Sequence, residues 1–155
     1  MEKQNFYDLN FDQLKVFLVE SAEVEPTKAK MRSQQLFNAV YKKNIKSFDE
    51  LTTFGIELRN KIKDLISLDK PKIVDIQKSK DGTIKFLLEL KDKRNVETVL
   101  IPDKTQSRYT ICLSVSVGCY LSCEFCATAQ ISKSLVRNLS GGEIISQIIL
   151  CKDYI

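Results

Sequence analysis

Histidine is absent from this 155-residue chain, and cysteine and glycine are scarce, with five residues of each. Without histidine, the chain cannot form a Ser-His-Asp triad, a histidine general base or a His-x-x-x-His metal site. It also contains neither a G-x-G-x-x-G motif nor a G-x-x-x-x-G-K-S/T motif. These absences argue against a Rossmann methyltransferase and a P-loop enzyme, whose phosphate-binding loops need those glycines.

Long apolar runs are absent as well. No stretch reaches the roughly 18 apolar residues that a membrane-spanning helix needs. Charged residues within positions 1–20 argue against a signal peptide. We therefore expect a cytoplasmic protein with no membrane partner, whose cysteines stay reduced and form no disulfides. A composition of 43% hydrophobic and 28% charged residues fits a soluble globular protein.

The net charge of +4 is unevenly distributed. Residues 28–46 contain no acid and six bases, which are Lys28, Lys30, Arg32, Lys42, Lys43 and Lys46. Residues 127–139 contain Lys133 and Arg137, again without an acid. Such stretches suit an RNA phosphate backbone, whose condensed counterions the cations displace. Charge alone slightly favours the alternative of a solvated helix face.

Three of the five cysteines form the motif Gly118-Cys-Tyr-Leu-Ser-Cys-Glu-Phe-Cys126, with the spacing C-x3-C-x2-C. Thiolates at Cys119, Cys123 and Cys126 can hold three corners of a cubane iron–sulfur cluster. The fourth iron then lacks a protein ligand and is free to bind a small molecule. That arrangement is the signature of radical S-adenosylmethionine (SAM) enzymes, which this stretch resembles.

Two other interpretations of these cysteines exist. Cys112 lies seven positions before the triplet, and zinc also accepts four cysteine ligands. Structural zinc sites usually come as two separated C-x2-C pairs, whereas this chain has one. Plain buried cysteines would not be expected at this spacing beside Gly118 and Phe125. The motif therefore favours the cluster over both alternatives.

Residues 1–67 are predicted to form a helical accessory module. Pro26 separates the first two helices, Ser47 and Glu50 form a capping box, and Gly55 precedes the last helix. The apolar stripes that predict the helices comprise Leu14, Phe17 and Leu18; Leu36, Phe37, Val40 and Tyr41; and Leu58, Ile62, Leu65 and Ile66.

Residues 68–102 are predicted to form a β-hairpin region. Lys72–Lys78 is the first strand, Asp81-Gly82 is a tight turn, and alternating apolar residues at 84–90 make the second strand. Residues 96–101 should pair back after a polar turn. On that strand Glu97 has apolar neighbours, which can raise a carboxyl pKa and create a general base. An ordinary exposed strand glutamate is the commoner case.

Residues 103–155 are predicted to begin a larger core. Residues 110–117 form its first strand, which carries Cys112 and leads into the cysteine loop. Ser140 and Glu143 form a capping box that opens a helix, with Ile144, Ile145, Ile148 and Ile149 on one side. Strand, loop and helix in this order make the first β/α unit of a barrel. Because the helix lacks partner strands, we expect exposed apolar surface and poor solubility.

The residues around the triplet narrow the family. The strings Cys112-Leu-Ser-Val-Ser-Val-Gly-Cys119, Cys126-Ala-Thr-Ala-Gln130, Arg137-Asn-Leu139 and Glu143-Ile144 are similar to the RlmN/Cfr family of radical SAM RNA adenosine methyltransferases. So are Phe48-Asp-Glu-Leu-Thr52, Asp81-Gly-Thr-Ile-Lys-Phe86 and Val96-Glu-Thr-Val-Leu-Ile-Pro102. The resemblance implies an α+β fold with an N-terminal helical module, a small β-hairpin region and the first β/α unit of a truncated radical SAM partial TIM barrel.

The resemblance also implies a chemistry. A [4Fe-4S] cluster on Cys119, Cys123 and Cys126 cleaves SAM, and Phe125 packs beside the adenosyl group. Cys112 resolves a covalent protein–RNA adduct by forming a disulfide, and Glu97 accepts the proton. The implied function is dual-specificity methylation of adenine C2, rather than C8, in 23S rRNA and tRNA. A monomer served by a reductant such as flavodoxin or ferredoxin is the implied state.

The chain departs from the family pattern in three ways. It reads Ser114-Val-Ser-Val-Gly-Cys119 where the family has Ser-Ser-Gln-Val-Gly-Cys, and residues 131–136 replace a shorter Gly-Phe step. Family members are more than twice this length and carry the methyl-bearing cysteine near their C-terminus, so Cys151 does not match it. We therefore expect a fragment that is inactive alone. The alternatives are another radical SAM enzyme or a non-catalytic zinc or RNA-binding module.

Overall fold

The structure, a computed structural model, describes residues 3–103, 105, 107–121, 123–126, 128 and 135–155. The chain divides into two compact units, Met1–Asp69 and Lys70–Ile155. Within the described residues, no helix has the length and apolar character needed to cross a membrane. The finer division at residues 67 and 102 stays a prediction.

The first unit is built from three helices, as the apolar stripes predict. They are α1 (Phe11–Glu20), α2 (Pro26–Phe37), which continues into a π-helical turn at Asn38–Lys42, and α3 (Ile56–Leu65). Short 3-10 turns occupy Phe6–Asp8 and Phe48–Glu50, and the predicted capping box of Ser47 and Glu50 is present in the second. One feature differs from an all-helical module, because β1 (Gln4–Asn5) pairs in parallel with β2 (Ile66–Ser67).

The core of the first unit confirms the predicted stripes in their central positions. Leu14, Leu18, Leu36, Val40 and Ile62 are buried. The buried ring of Phe6 packs among aromatic neighbours, with its centroid 5.5 Å from that of Phe37 and 5.6 Å from that of Tyr41. Aromatic contact therefore holds the N-terminal turn against the end of α2, whereas the pairing of β1 with β2 joins the N-terminus to the residues after α3.

The second unit contains a four-stranded antiparallel sheet in the order β3 (Lys72–Lys78), β4 (Ile84–Glu89), β5 (Asn95–Pro102) and β6 (Tyr109–Cys112). The three strands predicted within residues 68–102 and the Asp81-Gly82 turn are confirmed, and Gly82 takes a φ of +92°. Helix α4 (Gly141–Tyr154), with the predicted Ser140 and Glu143 capping box, packs on one face of the sheet. Their shared core comprises Phe86, Leu88, Leu90, Val96, Leu100, Val117, Leu139, Leu150 and Cys151.

Two predictions about this unit were wrong. The single strand expected over residues 110–117 is interrupted, because β6 ends at Cys112 and the separate strand β7 (Ser116–Val117) pairs with β8 (Arg137–Asn138). Helix α4 is also not left without a partner, since Leu150 and Cys151 are buried against the sheet. Of the four isoleucines in α4, Ile149 is buried and Ile148 is 36% exposed. The buried face of α4 therefore includes Leu150 and Cys151 and differs from the predicted row of four isoleucines.

Candidate functional site

The cysteine loop begins and ends at a short antiparallel ribbon. Val117 of β7 pairs with Arg137 of β8, and the backbone N–H of Leu139 donates to the carbonyl of Val115 at 2.9 Å. The next residue, Gly118, is buried and has a φ of +68°, a conformation that glycine adopts at little cost. The ribbon and this turn therefore set the direction in which Cys119 leaves the sheet.

The three motif cysteines on this loop are partly buried, and none of them forms a disulfide. The backbone N–H of Leu121 donates to Sγ of Cys119 at 3.5 Å, and that of Cys126 donates to the carbonyl of Cys123 at 3.0 Å. Among the described residues, no three cysteine or carboxylate side chains lie close enough to constitute a metal site. The chemistry of Cys119, Cys123 and Cys126 nevertheless fits an iron–sulfur cluster, because thiolates are the usual ligands of such clusters.

Three large apolar or aromatic side chains of the loop are exposed. Phe125 is 93% exposed, and Tyr120 and Leu121 are exposed beside it in sequence. The hydroxyl of Tyr120 donates to the carbonyl of Val136 at 3.2 Å, which connects the two halves of the loop. The exposed Phe125 ring is available to a ligand, and its predicted contact with the adenosyl group stays a prediction.

Cys112 and Glu97 lie on the same face of the sheet, opposite α4. Cys112 pairs with Val99, and Glu97 stands two residues from Val99 on β5. Such diagonal neighbours are about 7–8 Å apart. Both residues are exposed, and the Glu97 carboxylate forms an ion pair with Lys85 Nζ at 3.0 Å. Glu97, with 54% of its side chain exposed, thus has an exposed, paired setting rather than the apolar surroundings expected from its strand.

Sequence reasoning missed Lys85. The strand register places it opposite Val99 on β4, on the face that carries Glu97 and Cys112. The alternation of residues 84–90 indicates only its face, because Lys85 directly precedes the buried Phe86 and therefore points to the opposite side of the sheet. Only the register between β4 and β5 shows which charged residue lies beside Glu97.

The predicted basic stretches divide into exposed and engaged residues. Lys30, Lys42, Lys43 and Lys46 are exposed. Arg32 instead donates to the carbonyl of Thr53 at 3.0 Å and lies over the Phe54 ring. Arg137 also differs from a free surface cation, because it binds two carboxylates within its own unit. Lys133 lies outside the described residues.

Glu143, Asp92 and Cys151 of the second unit have perturbed pKa values. Hydrogen bonds from Arg137 hold the pKa of Glu143 and that of Asp92 below their usual values. Burial raises the pKa of the Cys151 thiol to about 11. The Cys151 thiol is therefore protonated at neutral pH and packs as an apolar side chain, which agrees with its exclusion as the methyl-bearing cysteine.

Comparison with known proteins shows which proteins the chain is similar to. Residues 4–68 match the family model described as the ribosomal RNA large subunit methyltransferase N-terminal domain of RlmN. The chain is 39% identical over 160 residues to the dual-specificity RNA methyltransferase RlmN of Campylobacter fetus, covering 96% of this chain and 42% of that protein. It is 39% identical over 148 residues to the probable dual-specificity RNA methyltransferase RlmN of Staphylococcus aureus strain JH9, covering 96% of this chain and 38% of the relative.

A solved structure agrees with the sequence comparisons. The crystal structure of a radical SAM methyltransferase from Sphaerobacter thermophilus superposes with a TM-score of 0.80 and 31% sequence identity. The match covers 97% of this chain and 42% of that one. The chain therefore spans about two fifths of the length of the relatives that it matches, and the similarity extends over both of its units.

Proposed function

We propose that this chain belongs to the RlmN family and is the N-terminal portion of a cytoplasmic, monomeric radical SAM enzyme that methylates adenine C2 in 23S rRNA and tRNA. The observation that carries the proposal is the C-x3-C-x2-C loop. The loop carries three cysteines that form no disulfide, and its two ends are joined by the β7–β8 ribbon, which precedes α4 in the chain. In the complete protein, residues 103–155 begin a partial TIM barrel, preceded by the helical module of residues 1–67 and the hairpin region of residues 68–102.

The cysteine loop is the proposed cofactor site. Cys119, Cys123 and Cys126 would hold a [4Fe-4S] cluster, to which SAM would bind. When bound and reduced by a flavodoxin or ferredoxin, the cluster supplies the radical chemistry that an unactivated aromatic C–H requires. The exposed Phe125 ring packs against the adenosyl group and shields it from water.

The open face of the sheet is the proposed position of the RNA base. Glu97 accepts the ring proton. The Cys112 sulfur attacks the sulfur of the cysteine that is joined to the RNA, so that an S–S bond forms as the S–CH2 bond breaks. The electron pair of the broken bond and the proton of the Cys112 thiol complete the methyl group and release the product. Their placement on neighbouring strands of one exposed face supports these roles, because side chains that share a face can contact the same substrate. Lys85 pairs with Glu97 and orients its carboxylate.

The exposed lysines of the first unit are the proposed RNA contacts. Lys30, Lys42, Lys43 and Lys46 stand within a stretch that contains no acid. Their charge suits a phosphate backbone and carries no sequence information. Arg32 and Arg137 are excluded from this set, since both are engaged within their units.

A methylation assay tests the proposal. Sequencing the gene beyond codon 155 establishes whether the frame continues, and the encoded protein is then incubated with radiolabelled SAM, reductant and unmodified rRNA. We expect the 155-residue chain alone to transfer no methyl group. In the longer protein, Cys112→Ala should accumulate a covalent protein–RNA adduct, whereas Cys151→Ala, the matched control, should release product normally. Product release at the wild-type rate by Cys112→Ala would contradict the assigned role.

A further inference from the structure

Arg137 makes the most extensive side-chain ion pairing in the second unit among the described residues. Its Nε donates to Asp92 Oδ2 at 2.8 Å, and its Nη1 and Nη2 donate to the two carboxylate oxygens of Glu143, each at 2.8 Å. Nη1 also donates to the carbonyl of Asn138 at 3.1 Å. The planar guanidinium thus binds Glu143 through two parallel hydrogen bonds and Asp92 through a third.

The two acceptors belong to separate elements. Asp92 stands in the turn between β4 and β5, and Glu143 lies in the first turn of α4, where it also accepts from the N–H of Ser140 at 2.8 Å. A second arginine strengthens this connection, because Arg94 Nη1 donates to the carbonyl of Leu135 at 2.8 Å. The segment that closes the cysteine loop is therefore fastened both to the sheet and to the helix.

Arg137 also lies where the two ends of the loop meet. It pairs with Val117, and Cys119 follows Val117 by two residues. The preceding residue, Val136, accepts the hydrogen bond from the Tyr120 hydroxyl at 3.2 Å. A displacement of Arg137 would therefore move both the exit of β7 and the return strand β8, which together determine where the loop cysteines stand.

We propose that Arg137, held by Asp92 and Glu143, is a positioning residue that orients the cysteine loop for metal binding. The inference rests on the proposed function, since it presumes that Cys119, Cys123 and Cys126 hold an iron–sulfur cluster. It replaces the sequence-based interpretation of Arg137 as an RNA-binding cation, because the guanidinium already bonds two carboxylates. Lysine cannot substitute fully, since one ammonium does not reproduce the planar fork that spans both acceptors.

Iron retention tests this role. The 155-residue chain and its Arg137→Lys, Arg137→Gln and Asp92→Asn variants are reconstituted anaerobically, and the visible absorption of the cluster is followed after adding an iron chelator. We expect cluster loss to be about 10-fold faster in Arg137→Gln, as is typical for residues that orient metal ligands. Arg137→Lys and Asp92→Asn should show intermediate rates. The matched control is Arg108→Gln. The Arg108 guanidinium pairs with Asp103 and takes no part in the ion pairs of Arg137.

Circular dichroism and RNA binding separate the possible outcomes. Unchanged circular dichroism with faster cluster loss supports positioning. If Arg137→Gln fails to fold, the test is made with Asp92→Asn instead. Cluster loss at the wild-type rate in Asp92→Asn then overturns the inference. Equal retention in all variants, or weaker RNA binding by Arg137→Gln without faster cluster loss, also overturns it while leaving the proposed function intact. A wild-type chain that takes up no iron overturns both.

Discussion

Replacing Gln147 by methionine should destabilise the second unit by an amount that its contacts determine. Gln147 is fully buried in α4. Its Oε1 accepts from the Thr98 hydroxyl at 2.6 Å and from the N–H of Ser114 at 3.1 Å. Its Nε2 donates to the carbonyls of Ser114 at 2.9 Å and Glu143 at 3.1 Å. The Gln147 side chain thus bonds both the N–H and the carbonyl of Ser114, which lies between Cys112 and the cysteine loop.

The magnitude follows from the groups that lose partners. Methionine is close to glutamine in size, so the change leaves little cavity and mainly removes hydrogen bonds. It leaves the hydroxyl of the buried Thr98 and the partly buried peptide of Ser114 unsatisfied. At about 1–3 kcal/mol for each buried orphan, and less for a partly exposed one, we expect a loss of about 2–4 kcal/mol in the free energy of unfolding. Adding Thr98→Val should recover about 1 kcal/mol, because it removes one orphan.

Urea denaturation followed by circular dichroism measures the change, and hydrogen exchange at the Ser114 amide locates it. The control is Gln77→Met on β3, where the exposed glutamine bonds only the Asp75 side chain among the contacts described, at 3.2 Å. A change within about 0.5 kcal/mol is expected there. A loss below about 1 kcal/mol for Gln147→Met, with unchanged protection at Ser114, would refute the reasoning.

Three further predictions concern pH, backbone and RNA. Arg137 lowers the folded-state pKa of Glu143 and Asp92, so the two ionised carboxylates stabilise the fold above their unfolded pKa of about 4, and this stabilisation is lost as pH falls through the folded-state values. Arg137→Gln should therefore make the free energy of unfolding less dependent on pH in the acid range. An unchanged pH dependence would count against the ion pairs. Gly82→Ala should lower the free energy of unfolding by about 1 kcal/mol, because φ is +92° and the added Cβ would lie 3.1 Å from Pro102 Cγ. Gly55→Ala is the control and should lower it less in the same denaturation assay, because the space around Gly55 is open. A larger loss for Gly55→Ala than for Gly82→Ala would contradict the structure. Replacing both Lys42 and Lys43 by glutamine should weaken RNA binding and reduce the slope of log K against log salt by about 2 in anisotropy titrations, whereas Lys28→Gln, which removes a cation already paired with Glu25 at 2.9 Å, should change that slope less.

Local sequence signals predicted much of the fold because they act through neighbouring residues. The capping boxes of Ser47 and Ser140 and the Asp81-Gly82 turn depend on contacts within four residues, and all three are present. The spacing of the three loop cysteines is likewise local, which is why the motif indicated its chemistry without a structure.

The missed features arise from contacts between distant residues. Residues 110–117 are rich in β-formers and predict one strand, but Gln147, 33 positions after Ser114, bonds its peptide and interrupts the ladder. Arg137 likewise lacks acidic neighbours in sequence, yet Asp92 is brought beside it from 45 positions away. Strand register placed Lys85 beside Glu97. Tertiary pairing of this kind leaves no trace in a local pattern.

The central claim is that Cys119, Cys123 and Cys126 hold a [4Fe-4S] cluster, and a count of iron and sulfide per chain tests it most directly. Reconstitution under anaerobic conditions is carried out on the wild type, on alanine variants of each of the three cysteines, and on Cys112→Ala and Cys151→Ala. The account predicts about four irons per chain in the wild type and in the last two variants, and loss of the cluster in the other three. Stoichiometric zinc binding without iron uptake, or loss of iron in Cys112→Ala, would contradict it.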